Sequence, residues 1–373
     1  MLNIGPQHPS THGVFRLRVV MDGEKIKDLD MIVGYLHRSM EKLAEERTFT
    51  QNIPFTDRAD YLAAMTGNLG LAADYLAAMT GNLGLAIAVE RLAEVEVPER
   101  AEFLRVIFSE LQRIASHAMA NGTLISDAGA WQTPLLYMFR EREKILDLFE
   151  MTCGARLTTN YMRIGGVAFD PPTEFWPALR ELVDELPSRI DEYHELLVEN
   201  EVFMARTRNV GVISPEDAIN GSLTGPALRG SGIPWDLRKA EPYSVYDQMN
   251  FEVPIGANGD VYDRFMVRMS ELYQSAKIIK QAMDLIPEGP HKTDIPLALR
   301  PPVGEIYSRI ESPRGEIGFY LVSDGGPAPY RFHIRAPSLI NLSLLNELGR
   351  DSALSDAVVT LGSLDIVVGE IDR

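Results

Sequence analysis

The side chains that could bind a metal or move a proton are concentrated in the first 130 residues. His8 and His12 lie in the segment GPQHPSTHG at residues 5–13, whose two prolines and two glycines predict a shaped loop rather than a helix. The two imidazoles therefore lack the i, i+4 spacing on one helix face that a two-histidine metal site uses. We expect no metal site in this loop.

A tandem repeat supplies a second group of candidates. The fourteen residues ADYLAAMTGNLGLA occur at 59–72 and again at 73–86. Their composition predicts a helix that is apolar on most sides and packed within the protein, a central strut over residues 51–90. Each copy begins with an Asp-Tyr pair, which contributes Tyr61 and Tyr75, and a buried phenol needs a hydrogen-bond partner. The simpler interpretation is a core tyrosine with one hydrogen bond.

Further ionisable candidates lie in and around the neighbouring helices. Arg38 is near the start of a helix predicted over 35–51. A helix predicted over 101–122 carries Arg113 and His117 on neighbouring turns, and the segment after it is read as a loop that holds Asp127. Local structure alone gives these groups ordinary roles: His12 would cap its own loop, and Asp127 would be the N-cap of the next helix.

The surrounding pattern predicts a mainly helical α+β chain. Alternating runs on both sides of Asp22-Gly23 predict a hairpin near the N-terminus, and residues 315–335 predict a second one. Helices are expected over 139–154, over 172–201 with a break at Pro187, and over 260–286. The Gly-rich stretch 221–239 lacks a full phosphate-binding pattern and is read as a closely packed connection, and the apolar C-terminal tail is expected to be buried.

Composition excludes several classes of protein. A net charge of -17 argues against nucleic acid or anionic lipid as a partner. The single cysteine, Cys153, excludes an internal disulfide and a thiolate metal or iron-sulfur site built by this chain alone, and it fits a reducing compartment. No run reaches the roughly 18 apolar residues of a membrane span, and no Walker loop, zinc signature or nucleophile motif is present. With 373 residues the chain can bury a large core, as one domain or two.

Several long motifs resemble the D subunits of respiratory complex I, the proton-pumping NADH:quinone oxidoreductase, which are related to the large subunit of nickel-iron hydrogenases. The resemblance runs in order along nearly the whole chain, through GPQHPSTHG, GYLHRSMEKLAEERTFTQNIPFTDRADYL, RIASH, YMFREREKILDLFE, NYMRIGGV, PWDLRK, RAPSLINL and the terminal GEIDR. It implies a single domain over 1–373, with a hydrogenase-like helical core and small N-terminal and C-terminal β-hairpins. The duplication at 59–86 is not part of the family pattern.

The resemblance also implies a quinone site. Hydrogenases hold their metals with two CxxC pairs, but the matching positions here are Asp60 and Ala63 after Arg58, and Val367 and Glu370 after Asp365. No thiolate remains to bind a metal. By similarity, the vacated pocket binds quinone as substrate: His12 and Tyr61 hydrogen-bond its carbonyl oxygens, and Asp127 pairs with His12. The repeat makes Tyr75 a second candidate for the position of Tyr61.

The family pattern further implies what surrounds this site. Arg38, Arg58 and His117 would lie near an iron-sulfur cluster held by the B subunit, and the C, I and H subunits would be further partners. NAD would be used by the complex but not bound by this chain, which would be a peripheral protein on the cytoplasmic side of the bacterial inner membrane. Two alternatives remain open: an equivalent subunit of a ferredoxin-fed complex, and a non-catalytic scaffold subunit.

Overall fold

A computed structural model of the chain describes residues 1–8, 13–57, 78–129, 133–198 and 200–373. His12, Arg58, Tyr61 and Tyr75 lie outside these residues, as do Asp60 and Ala63. The central strut predicted over 51–90 is described in part, as helix up to residue 57 and again from residue 78.

Short antiparallel sheets form near both ends of the chain. The strands are β1 (Leu2–Ile4), β2 (Gln7–His8), β3 (Gly13–Val14), β4 (Arg16–Asp22), β5 (Lys25–Ile32), β6 (Met162–Arg163), β7 (Gly166–Val167), β8 (Gly304–Ser312), β9 (Gly315–Ser323) and β10 (Arg331–Arg335). Their order is β1-β4-β5 in one sheet and β10-β9-β8 in another, while β2 pairs with β3 and β6 with β7. Both predicted hairpins are confirmed, β4-β5 and β9-β10, and β8 is an additional strand that the sequence patterns do not reveal.

Helices make up most of the remaining structure, which confirms the mainly helical α+β class. They are α1 (Met40–Glu45), α2 (Phe49–Asp57), α3 (Ala78–Ala93), α4 (Glu99–Asp127), α5 (Thr133–Cys153), α6 (Phe175–Leu197), α7 (Glu201–Thr207), α8 (Pro215–Asn220), α9 (Gly225–Gly230), α10 (Leu237–Ala240), α11 (Val261–Leu285), α12 (Pro337–Leu342), α13 (Leu345–Gly349), α14 (Leu354–Leu364) and α15 (Val368–Asp372), with a 3-10 helix at Tyr246–Gln248.

The long helix α4 forms the centre of the larger core. It is 29 residues long, is buried over most of that length, and packs against α5, α11, α14 and α3. Phe108 of α4 stacks on Phe175 of α6, with ring centroids 5.3 Å apart. A second core joins the N-terminal sheet to the end of the chain, where Phe15 and Leu17 share a cluster with Leu361. The predicted burial of the C-terminal tail is thereby confirmed.

Three local predictions are wrong. Pro187 does not break its helix: α6 continues through it and buries Leu186 and Ile190 on either side of the proline. The helix predicted from residue 35 begins only at residue 40, since Gly34 and Ser39 both have left-handed φ angles, 105° and 54°. The segment after residue 122 stays helical as far as Asp127.

Candidate functional site

The predicted site residues that the structure describes fall in different environments. Asp127 is the last residue of α4 and is half-buried, so its interpretation as an N-cap is wrong. Arg38 lies exposed in the turn before α1, with Nη2 3.5 Å from Met40 Sδ. His117 is completely buried within α4. His117 and Asp127 are ten positions apart, which corresponds to about 15 Å along the helix axis, so these two side chains belong to separate environments.

The terminal helix α15 holds the turn that carries Arg38. Oδ1 of Asp372 accepts a hydrogen bond from the Gly34 N–H and Oδ2 accepts one from the Leu36 N–H, each at 2.7 Å. Nδ1 of His37 lies 2.7 Å from the backbone oxygen of Asp372. One carboxylate therefore fixes the backbone of the turn, while the side chains of His37 and Arg38 remain exposed. We call this arrangement, Asp372 with residues 34–37, the C-terminal clasp.

The same helix contacts the end of the histidine-containing loop. Gly13, the first described residue after positions 9–12, has φ of +146°, and a Cβ atom built on it would lie 2.5 Å from Val368 Cγ2. A side chain at position 13 would therefore displace α15. Gly13, the residue that follows His12, is therefore in close contact with the terminal helix α15.

A charged cleft lies beside the clasp. It has a volume of about 370 Å³ and is lined by His37, Ser39, Glu41, Lys42, Arg331, Ile371, Asp372 and Arg373. Burial alone would raise the pKa of Glu41, but hydrogen bonds from the Ile334 N–H and from His333, together with the charge of Arg373, outweigh burial and lower that pKa. Glu41 thus stays ionised and links α1, β10 and the chain end.

The two C-terminal positions that match hydrogenase cysteines are both buried and both tied to α12. Val367 is 1% exposed and its N–H donates to Ser338 Oγ at 3.1 Å. Oε1 of Glu370 accepts from the Ser338 N–H at 2.7 Å. Between these positions and the core, Asp365 lies 3.8 Å from Nε of Arg314. Neither side chain offers a soft ligand, so this corner does not fit a nickel-iron centre.

The single cysteine is close to the end of α2. Burial, and secondarily the negative charge of Asp57, raise the pKa of the Cys153 thiol to about 12. Oδ1 of Asp57 accepts from the Asn160 N–H at 3.4 Å. The thiol is therefore protonated at neutral pH and is a poor nucleophile or metal ligand.

A network of buried ionic side chains crosses the core beside α4. Nε2 of His117 lies 2.7 Å from Glu271 Oε2 on α11, and Oε1 of Glu271 accepts a hydrogen bond from Arg229 Nε at 2.8 Å. Arg229 also binds Glu311 of β8 at 2.7 Å. A second branch joins Glu110 to Arg113, Arg238, Tyr246 and Ser275. We call these residues, with Asp236, the interior ionic network.

Burial and neighbouring charges shift the proton affinities of this network in opposite directions. Desolvation lowers the pKa of His117, and the nearby charges of Arg113 and Arg268 add to that effect, although Glu271 opposes it. Burial would raise the pKa of Glu271, but the charge of Arg229 and the hydrogen bond from His117 bring it well below its usual range. Burial raises the pKa of Glu311, and Arg229 only partly offsets it. At neutral pH this gives a neutral imidazole beside an ionised carboxylate.

Sequence reasoning singles out His117 but misses Glu271, Arg229 and Glu311. A signal is present in α4 itself: Glu110, Arg113 and His117 recur at intervals of three and four on a helix face that is otherwise apolar. Ionic side chains on such a face require buried partners. The partners cannot be named from the sequence, because Glu271 is 154 residues away along the chain.

The described residues form neither a metal site nor a membrane-spanning helix. Among them, no three His, Cys, Asp or Glu side chains converge in a way that could hold a metal ion. In the same part of the chain, every helix is too short or too polar to cross a membrane.

Comparisons with known proteins give the chain its family. It is 54% identical over 373 residues to the D subunit of NADH-quinone oxidoreductase from Dehalococcoides mccartyi, covering 100% of this chain and 98% of that protein. It is 54% identical over 380 residues to a D subunit of the same enzyme in Roseiflexus sp., covering 100% of this chain and 98% of that protein. It is 50% identical over 372 residues to the D subunit of Clostridium beijerinckii, covering 100% of this chain and 96% of that protein. The family profile for the 49 Kd subunit of the respiratory-chain NADH dehydrogenase matches residues 127–301 and 291–373. The chain therefore belongs to the family of the 49 Kd subunit of respiratory-chain NADH dehydrogenase.

Proposed function

We propose that this chain is the quinone-site subunit of a proton-pumping NADH-quinone oxidoreductase and acts only within that complex. The observation that carries the proposal is the identity of about half of all residues, over the full chain, with subunits of that name. The proposed substrate is the quinone headgroup, reduced to quinol inside the chain.

In this proposal His12 and Tyr61 hydrogen-bond the two quinone carbonyl oxygens, and Asp127 pairs with His12. Reduction to quinol takes two electrons and two protons, and an iron-sulfur cluster supplies electrons only. An imidazole with a pKa of about 6.5 can deliver one proton when a carboxylate stabilises its cationic form, and a phenol can deliver the other as the quinone oxygen becomes basic. The position of Asp127 supports the pairing, because a cation is favoured at the negative, C-terminal end of a helix.

Electrons would arrive from an iron-sulfur cluster of the B subunit, with Arg38, Arg58 and His117 on the side of the chain near that cluster. The exposure of Arg38 fits such a contact, whereas His117 is buried and would not touch the cluster. The protonated Cys153 fits a cluster held by the partner rather than by this chain. The C, I and H subunits would be further neighbours in a peripheral arm on the cytoplasmic side of the membrane, and NADH would be oxidised elsewhere in the complex.

The test is NADH-dependent quinone reduction by the purified native complex carrying His12→Ala or Asp127→Asn. We expect each to lower turnover by about a hundredfold while the complex still assembles, because each removes a proton-handling group rather than core volume. Asp184→Asn is the matched control, since this carboxylate pairs with Lys280 on the surface of α6 and α11. Wild-type turnover in both site variants would contradict the proposed site.

The same assay decides between the two copies of the repeat. Tyr61→Phe should depress turnover and Tyr75→Phe should leave it nearly unchanged; the reverse pattern moves the site to the second copy. Quinone reduction with reduced ferredoxin but not with NADH would identify the ferredoxin-fed alternative.

A further inference from the structure

Polar atoms without hydrogen-bond partners gather where α4 meets α11. Within the part of the chain that the structure describes, His117 Nδ1, both amide atoms of Asn121 and Nε of Arg268 make no hydrogen bond. All three side chains are completely or almost completely buried, at 0%, 0% and 1% exposure. Buried polar atoms are nearly always paired with protein or with ordered water, so this concentration of them marks a place for a polar ligand.

The three side chains are neighbours. His117 and Asn121 are four residues apart on α4, which places them one above the other on the same helix face. Arg268 lies one turn from Glu271 on α11, and its charge is close enough to His117 to lower the pKa of the imidazole. The other two nitrogens of Arg268 are occupied by backbone oxygens of Ser363 and Arg264. Its Nε–H is therefore the group of the guanidinium that is left without a hydrogen-bond partner.

The hydrogen bond on the far side of the imidazole fixes its tautomer. Arg229 keeps Glu271 ionised, and an ionised carboxylate only accepts, so Nε2 of neutral His117 must carry the proton directed at Glu271 Oε2. Nδ1 is then a lone-pair acceptor. Among the described residues, no protein donor hydrogen-bonds this atom.

We propose that His117, Asn121 and Arg268 enclose a buried water molecule between α4 and α11, and that this water makes His117 a proton-relay residue within the helix that ends at Asp127. The water would accept from Arg268 Nε–H and donate to His117 Nδ1 and Asn121 Oδ1. Three hydrogen bonds are the usual complement of a buried water.

The relay step conserves protons and needs no other reactant. A proton that enters from solvent moves from the water to His117 Nδ1, which gives an imidazolium paired with the Glu271 carboxylate. The same proton later returns to the water and travels on toward the quinone end of α4. Burial, together with the charges of Arg113 and Arg268, outweighs the one anion Glu271 and lowers the pKa of His117, so the imidazolium is disfavoured and readily gives up its proton. The inference rests on the proposed function only for the direction of this transfer.

The first test uses the unmodified complex. A cryo-EM map of the native complex at a resolution that shows ordered water should contain a density peak about 3 Å from His117 Nδ1, Asn121 and Arg268 Nε. Absence of the peak, with well-resolved water elsewhere in the core, overturns the water site whatever any variant does.

The second test replaces the water-binding amide. Asn121→Leu in the complex should lower quinone turnover by about tenfold, raise the solvent deuterium isotope effect, and move the alkaline limb of the pH profile to lower pH, because proton delivery becomes limiting. Asn121→Ala, which cannot overpack the core, should act in the same direction. The matched control is Ser109→Ala, which removes another unpaired buried polar group from an earlier part of α4. If the Asn121 variants match the control in all three measurements, the relay is overturned.

This test separates the relay from the quinone site. Normal turnover in His12→Ala and Asp127→Asn would overturn the proposed function, yet the density peak beside His117 would still be expected. Loss of turnover in those variants, combined with an unaffected Asn121→Leu, would leave the quinone site in place and remove the relay.

Discussion

The interior ionic network and the C-terminal clasp both use buried carboxylates to hold neighbouring segments in place, but the partners of the two carboxylates differ in kind. In the network, Glu271 is completely buried and each of its oxygens faces another ionisable side chain. In the clasp, Asp372, itself 6% exposed, binds two backbone N–H groups of a turn in which the side chains of Tyr35 and His37 are exposed. A buried ion that loses its partner leaves an uncompensated charge, whereas a turn that loses its acceptor can bind water instead. The network should therefore maintain the fold, and the clasp should maintain only a local conformation.

The largest effect is expected from Glu271→Ala. This change takes one of the carboxylates away from Arg229, which keeps Glu311 and Asp236, and it removes the partner of His117; breaking a buried ion pair costs roughly 3–5 kcal/mol. We expect low yields of the folded subunit and of the assembled complex. The measurements are the yield of purified complex and the denaturation midpoint of the fraction that assembles. Glu271→Gln, which keeps the shape and one acceptor, should be affected less.

The matched control for that prediction is Asp184→Asn, which breaks an exposed ion pair with Lys280. Equal yields for Glu271→Ala and this control would mean that the network contributes no more to folding than a surface pair does.

The elements of the fold differ in how well their structure can be predicted from the sequence. The β4-β5 hairpin is predictable because Asp22-Gly23 encodes its turn locally, and α11 because its apolar residues recur over many turns. The strand β8 escapes prediction, since it follows a proline-containing segment and is defined by pairing with β9 rather than by its own pattern. Pro187 misleads because the buried face of α6 is worth more than the hydrogen bond that proline removes.

Site residues also divide into those that a local sequence pattern indicates and those that only long-range packing brings together. The ends of the chain meet in the clasp, where Asp372 binds amides more than 300 residues away, and no local pattern encodes such a contact. His117 is visible as a charge on an apolar helix face, but its partner is fixed by the packing of α11 on α4. His12, Tyr61 and Tyr75 rest on the family resemblance and stay predictions.

An intermediate effect is expected from Asp372→Ala in the clasp. Loss of both acceptors should free the Gly34 and Leu36 N–H groups and destabilise the local conformation of the turn by about 1–3 kcal/mol, while the rest of the subunit stays folded. Amide hydrogen exchange in the assembled complex should speed up at residues 34–37. Asp372→Asn, which retains one acceptor, should show about half of the effect.

A matched control is Asp356→Ala on α14, which removes an ion pair with Arg206 but touches no turn amide. Faster exchange throughout the subunit after Asp372→Ala would show that the clasp supports the whole fold, and the contrast between the two regions would then be lost.

The smallest effect is expected from a change of pH, and it should act on the network alone. His117 has a folded-state pKa below its usual value near 6.5, so between pH 7 and 5.5 the unfolded chain binds a proton there that the folded chain does not. The free energy of unfolding should fall with decreasing pH, by at most about 1.4 kcal/mol per pH unit from this one group. Glu41 beside the clasp has the same sign but acts in a lower pH range: its folded-state pKa is also lowered, so its stabilising contribution is fully present above the unfolded pKa near 4.5 and is lost only as pH falls through the lower folded value. The measurement is denaturant unfolding of the wild type and His117→Gln at several pH values in this window. The free energy of unfolding should change less steeply with pH in the variant. His194→Gln is the control, because that imidazole on α6 is exposed to solvent. Identical slopes for all three proteins would mean that His117 is as readily protonated in the core as in water, and the distinction between the network of buried ionic side chains and the clasp would fail at its most sensitive point.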